Sequence, residues 1–204
     1  MARMPGTGPI GSRSDAEVAN RWHSGGVRMI QRRLAALGAG ISLATALGMT
    51  IAALPASAHQ PVELGPSDST PARGPLLVDG TVSFAVYADV KRGDRRGFRF
   101  GLAQGDTLAM QLLIIDAPPG NRLNSSQLPR VTVTDPRGRT FRMVINERTE
   151  FYEPYGGTDF LYLSRVKQEA VPGEYRVSVS GRSSTQVQTV IAVGYREVRG
   201  EVRD

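Results

Sequence analysis

Between residues 81 and 195 apolar side chains recur at every second position, in short runs separated by turn residues, and no helical period is sustained. A period of two puts neighbouring side chains on opposite faces of an extended strand, so each run needs a second layer to bury its apolar face. "TVSFAVYADV" (81–90) sets Val82, Phe84, Val86 and Ala88 against Ser83, Ala85 and Tyr87. "RGFRFGL" (96–102) places Phe98, Phe100 and Leu102 on one face and Arg99 on the other. "GDTLAMQLLIID" (105–116) is more continuously apolar, as a central strand covered on both sides would be. "RVTVTDPRGRTFRMVI" (130–145) reads as a hairpin, in which Asp135-Pro136-Arg137-Gly138 has the residues of a type I turn and Phe141 and Met143 resume the alternation. "DFLYLSRV" (159–166), "GEYRVSVSG" (173–181) and "TQVQTVIAVGY" (185–195) bring the set to about eight strands. The expected fold is all-β: a single antiparallel, jelly-roll-like β-sandwich over residues 76–197, with 198–204 as a tail.

Three turn motifs in this region carry a resemblance. An aromatic strand runs into Gly105-Asp106-Thr107, a later strand ends in Asp135-Pro136-Arg137-Gly138, and Pro172-Gly173-Glu174-Tyr175 opens a strand near the end. Together, over roughly residues 80–195, they resemble the bacterial pre-peptidase C-terminal domain, a jelly-roll-like β-sandwich. Members of that family accompany secreted enzymes as non-catalytic accessories. No enzyme domain is expected ahead of the module, so the resemblance implies a free-standing binding or interaction domain and leaves its ligand unnamed.

The N-terminal part points to export. Arg28, Arg32 and Arg33 precede an uncharged run from Leu34 to Leu54, and Pro55 breaks that run before Ala56-Ser57-Ala58. Basic residues, an apolar stretch and a small-x-small box make residues 29–58 a signal peptide cut between Ala58 and His59. Its length also allows a retained anchor over residues 34–54. In either case the positive side stays in the cytoplasm and the remainder is secreted or faces the extracytoplasmic space. The flanking "IQRRLAAL" lacks most of a twin-arginine pattern. Residues 1–28 are polar, Gly-rich and aperiodic, and read as a disordered extension or as a start placed upstream of a true one at Met29 or Val27. Residues 59–75 ("HQPVELGPSDSTPARGP") read as a linker.

Charge narrows the partners. Residues 1–58 carry six arginines and two acids, so of the chain's 25 basic and 19 acidic residues 19 and 17 lie beyond them, a net of +2. A nucleic-acid function, which needs a concentrated basic footprint, is not expected. "KRGDRRGFR" (91–99) reads as a solvated hairpin loop. Cysteine is absent, which removes disulfides, thiolate zinc sites and cysteine nucleophiles. Membrane contact is expected only through the N-terminal segment, and the domain is expected to be a monomer.

The candidate chemistry is sparse. His59 is the sole histidine beyond residue 58 and falls in the linker, so a Ser-His-Asp site would need that arm to fold back. As a new N-terminus its amine and imidazole could chelate copper, but such sites recruit a second histidine and His23 lies across the cut. Glu147, Glu150 and Glu153 are the acids a hydrolase could use, although glycosidase acids must face each other at fixed separation. No cofactor is expected. Calcium is the ion that Asp106, Asp116, Asp135 and Asp159 could take, but aspartate at turns more simply bonds the local backbone. The remaining candidate is "FYEPYGG" (151–157): Phe151, Tyr152 and Tyr155 cannot all pack on one face of an extended segment, and Pro154 puts them at an edge or in a loop. These rings form the expected contact surface for a glycan, a peptide or an envelope protein. The alternative is structural, with Phe151 plugging the end of the sandwich.

Overall fold

The computed structural model describes residues 59–204. The run Leu34–Leu54, the cleavage box at Ala56 and Ala58, and residues 1–28 lie outside the described residues. The described part is all-β and contains twelve strands. The first six are β1 (Gln60–Leu64), β2 (Leu76–Leu77), β3 (Phe84–Val90), β4 (Arg95–Leu102), β5 (Thr107–Ile115) and β6 (Arg130–Thr134). The others are β7 (Thr140–Arg142), β8 (Thr149–Glu153), β9 (Thr158–Glu169), β10 (Gly173–Ser180), β11 (Val187–Val193) and β12 (Val202–Arg203). They form a sandwich of two six-stranded sheets, one in the order β1-β3-β11-β5-β9-β8 and the other β12-β2-β4-β10-β6-β7.

Alternation decides what fills the space between the sheets. Phe84, Val86, Leu112, Ile114, Leu163 and Ile191 from the first sheet meet Phe98, Phe100, Val133, Tyr175 and Val177 from the second. β5 lies inside its sheet between β11 and β9, as its continuous apolar run implies. The Asp135–Gly138 turn forms as its residues dictate: the Gly138 N–H donates to the Asp135 carbonyl at 2.9 Å. Asp135 Oδ1 accepts from the backbone of Arg137 and Arg139, and Oδ2 from Arg139 Nε at 2.8 Å. Burial would raise the carboxyl's pKa, but the Arg139 guanidinium and these N–H bonds outweigh it and hold the group below its ordinary range.

Four features differ from the sequence reading. The sheets are mixed rather than antiparallel, because β1 joins β3 and β2 joins β4 in parallel. Residues 59–75 are not a free linker. Gln60–Leu64 pairs residue by residue with Phe84–Ala88, and Val62 and Leu64 point into the core. Pro61 is tolerated there because an edge strand does not need every donor. The rest of the segment lies against β4 so closely that a Cβ on Gly74 would stand 1.8 Å from the Gly97 carbonyl oxygen. The tail likewise ends in β12, paired with β2, and Gly200 N–H donates to Gln60 Oε1 at 3.0 Å. The basic segment 91–99 is not a hairpin, since β3 and β4 belong to different sheets and Lys91–Asp94 carries the chain between them. The Asp94 carboxylate closes that turn on Lys91 N–H at 3.1 Å.

Tyr175 joins the last part of the fold to its core. Its ring stacks on Phe100 with centroids 5.0 Å apart and 3° between planes, and its hydroxyl accepts the Val171 N–H at 2.7 Å. Burial, with the nearby Asp135 carboxylate, holds its phenol above the ordinary range. Tyr175→Phe keeps the ring and strands a half-buried N–H. It should cost about 1–2 kcal/mol in urea unfolding with an unchanged slope. A loss under about 0.3 kcal/mol would show the bond to be replaced by water.

Candidate functional site

The sandwich interior accounts for only one face of the first sheet. Ala85, Leu113, Phe160, Val190 and Ala192 are buried on the opposite face, in a separate apolar cluster. Their register explains the meeting: Ala85 pairs with Ala192 across β3 and β11, Val190 with Leu113 across β11 and β5, and Ile115 with Phe160 across β5 and β9. A bulge in β9 leaves Leu163 without a partner between Tyr162, opposite Leu113, and Ser164, opposite Leu112. Phe160 and Tyr162 therefore point to the outer face while Leu163 and Ser164 stay buried.

"FYEPYGG" covers part of this face. Phe151 pairs with Phe160 and Glu153 with Thr158, so the heptapeptide is the end of β8 and the loop that returns into β9. Glu153 fastens that loop: Oε1 accepts the Tyr155 N–H at 2.8 Å and Oε2 the Gly156 N–H at 2.5 Å. Gly157 takes a φ of 65°, which an ordinary side chain would resist. Phe151 packs against the Tyr162 ring with centroids 5.3 Å apart and 41° between planes. It thus lies on the outer face of a sheet and does not plug the end of the sandwich. Tyr152 alternates to the other side of β8 and is 58% exposed, whereas Tyr155 is equally exposed but borders the covered space.

On the outer face of this sheet, bordered by the β8–β9 loop, lies a cavity of about 170 Å³. Its floor is Ala85, Leu113, Val190 and Ala192, and its walls include Tyr87, Phe151, Phe160 and Tyr162. Small floor residues between large flanking rings make the surface concave. Polar groups stand at the edge: His59, Gln111 and Glu153. A space near 150 Å³ is enough for a benzene ring, so the cavity suits one ring or a short branched chain.

The arm that holds His59 does fold back, and His59 Nδ1 is hydrogen-bonded to Ser83 Oγ. This does not make a hydrolytic pair, for Ser83 is only 3% exposed and cannot reach a substrate. Burial lowers the His59 pKa against the opposing pull of Glu197 and Glu153, so the ring is neutral at pH 7. Burial also raises Tyr87, aided by the carboxylates of Glu63 and Glu153. The Tyr162 phenol is raised by burial too, the Arg165 guanidinium opposing and Glu147 assisting. That guanidinium lies 3.9 Å from the ring centroid and is itself paired with Glu147 at 3.3 Å.

The three glutamates do not assemble. Glu147 N–H donates to the Leu163 carbonyl while Glu153 pairs with Thr158, five strand positions away, or about 17 Å. Glu150 falls on the opposite face of β8 from Glu153, and the separation of Glu147 from Glu153 exceeds what either glycosidase geometry uses. The four aspartates do not converge: Asp116 and Asp159 are neighbours, the Asp116 N–H donating to the Asp159 carbonyl at 2.8 Å, but Asp106 and Asp135 do not join them. Asp106 Oδ2 accepts the Ala103 N–H at 2.6 Å, Asp116 Oδ1 accepts from Asn121 Nδ2 at 2.8 Å, and Asp135 closes its own turn. Asp159 pairs with Tyr152 across β8 and β9. Among the described residues no three His, Cys, Asp or Glu side chains form a group that could hold a metal ion.

Sequence reasoning reached Phe151 and Tyr155 but missed the floor. Its signal was present in three unbroken apolar runs, Leu112–Ile115, Phe160–Leu163 and Val190–Val193, each of which must have both faces covered.

No family model matches this chain, and no curated protein does. Among solved structures it is similar to a surface-associated copper-binding protein important in copper acquisition by Methylomicrobium album BG8. The identity is 9%, the match covers 59% of this chain and 100% of that one, and the TM-score of 0.30 is too low to carry an argument. Among the described residues no helix is long and apolar enough to cross a membrane.

The His59 geometry makes stability depend on pH. The folded state holds the imidazole below its ordinary value of 6.5, so the unfolded chain takes up the proton first as pH falls. Its contribution is full above pH 6.5 and is lost as pH drops through the lowered folded value. Melting temperatures between pH 8 and 5 should fall more steeply for the native protein than for His59→Asn. Parallel curves would show that the ring is not held neutral.

Proposed function

We propose that this chain is an exported, non-catalytic β-sandwich binding protein of the cell envelope or exterior, acting as a monomer. Its ligand site is the cavity bordered by the Phe151–Gly157 hairpin. One observation carries the reading: an aromatic-walled cavity stands on the solvent side of a sheet, where the fold needs no concavity. Binding sites are concave, mostly apolar and edged by a few polar groups, which describes this one. The resemblance of the turn motifs to the pre-peptidase C-terminal domain, a non-catalytic accessory, supports the same class. The basic, apolar and small-x-small sequence of residues 28–58 supports export. The ligand presents a ring or short branched chain, whether free or as part of a glycan, a peptide or an envelope component.

Titration with phenol, followed by amide NMR, tests the site. Shifts should concentrate at Leu113, Val190 and Ala192, and Ala192→Leu should abolish them by filling the floor without lowering the melting temperature. Shifts spread over the whole domain, or unchanged in Ala192→Leu, would remove the cavity from consideration. Export is tested separately by mass spectrometry of protein recovered outside the cytoplasm. A chain beginning at His59 is the expected result. A chain that keeps Leu34–Leu54 would instead make the protein a membrane-anchored structural component.

A further inference from the structure

The charge around the cavity is more selective than its apolarity. Glu153 is among its lining residues, and no lysine or arginine is. Glu63 stands beside the site, opposite Tyr87 on the parallel ladder. The carboxylates of Glu63 and Glu153 both act on the Tyr87 hydroxyl, which places them within electrostatic reach of that wall. Arg165, at the Tyr162 ring, has its charge met by Glu147 outside the lining. His59, at the edge, is neutral near pH 7. Tyr87, Phe151 and Tyr155 add ring faces, whose quadrupoles attract positive charge, while Tyr162 already carries the Arg165 guanidinium on one face.

The kind of cation follows from hydrogen bonding. Glu153 already accepts backbone N–H groups on both oxygens, at 2.8 and 2.5 Å. A primary ammonium entering an apolar space would leave its own N–H donors poorly met, at the cost that burying unpaired donors carries. A quaternary nitrogen has no N–H to satisfy. It needs only negative field and contact with rings and methyl groups, and this cavity supplies both. A hydrated inorganic ion would find too few oxygen ligands.

We propose that the cavity binds a free quaternary ammonium compound, with its alkylated head among Tyr87, Phe151, Tyr155 and Tyr162 and Glu153 as counter-charge. This rests on the cavity being a ligand site, and the test separates the two. Choline and its neutral isostere 3,3-dimethylbutan-1-ol have nearly the same shape and differ in charge. Followed by amide NMR at Leu113, Val190 and Ala192, choline should bind about tenfold more tightly than the isostere. Glu153→Gln should erase that preference while phenol still binds. Should Glu153→Gln loosen the hairpin, as lost phenol binding would reveal, Tyr155→Leu keeps apolar volume without a ring face and should lower the preference for choline. Equal or tighter binding of the isostere overturns the proposal and leaves the apolar site standing. Failure of phenol to bind the native protein as well overturns both. Association with phosphatidylcholine vesicles without response to free choline also overturns it, in favour of a lipid headgroup.

Discussion

The arrangement of this domain depends on a sheet that is apolar on both faces. Strand geometry sends adjacent side chains to opposite sides, so an unbroken run such as Leu112–Ile115 cannot be hidden by the sandwich interior alone. Leu112 and Ile114 meet the second sheet, while Leu113 is left on the outside. Phe160–Leu163 and Val190–Val193 impose the same condition on the strands either side of β5. An uncovered patch of that kind invites association, and the outer-face rings of β8 and β9 border it, Phe151 packing against Tyr162 and pairing with Phe160. The cavity lies on this second apolar face, where Ala85 and Ala192 stand among larger side chains.

Much of the fold is legible in the chain because its evidence is local. Alternation in Val131–Val133 and the Asp135–Gly138 turn specify a hairpin within ten residues, and the hairpin forms there. The parts that escape are those whose stability comes from afar. Only Val62 and Leu64 mark β1 as a strand, amid Pro and polar residues, and what holds it is the parallel ladder to β3 some 24 positions on. β2 and β12 are two residues each, too short for any period to show. The turn at Lys91–Asp94 looks like a hairpin because local residues specify a reversal, while the sheet each flanking strand joins is settled by β10 and β11.

The site divides along the same line. Phe151 and Tyr155 stand out because aromatic density in a loop exceeds what a turn requires. Tyr152, their neighbour, is separated from them by nothing more than parity along β8. Ala85, Leu113, Val190 and Ala192 come from three strands spread over 108 positions, and only register brings them together. The glutamate in the heptapeptide reads as a free acid in sequence, yet each of its oxygens already accepts a backbone N–H of its own loop. That commitment is what separates a field from a ligand.

The floor shows why the cavity persists. Alanine at 85 and 192 is the smallest residue short of glycine, and the two are direct cross-strand partners. Each methyl or methylene added to fill the space would bury apolar area worth about 0.8 kcal/mol. Overpacking, which limits such gains in a closed core, is a weaker restraint on an open outer face. Larger residues would therefore stabilise the domain at small local cost, and no turn or bulge at either position requires alanine. The two alanines thus leave apolar burial unused on a concave, ring-lined surface, and the cavity is there because they are small.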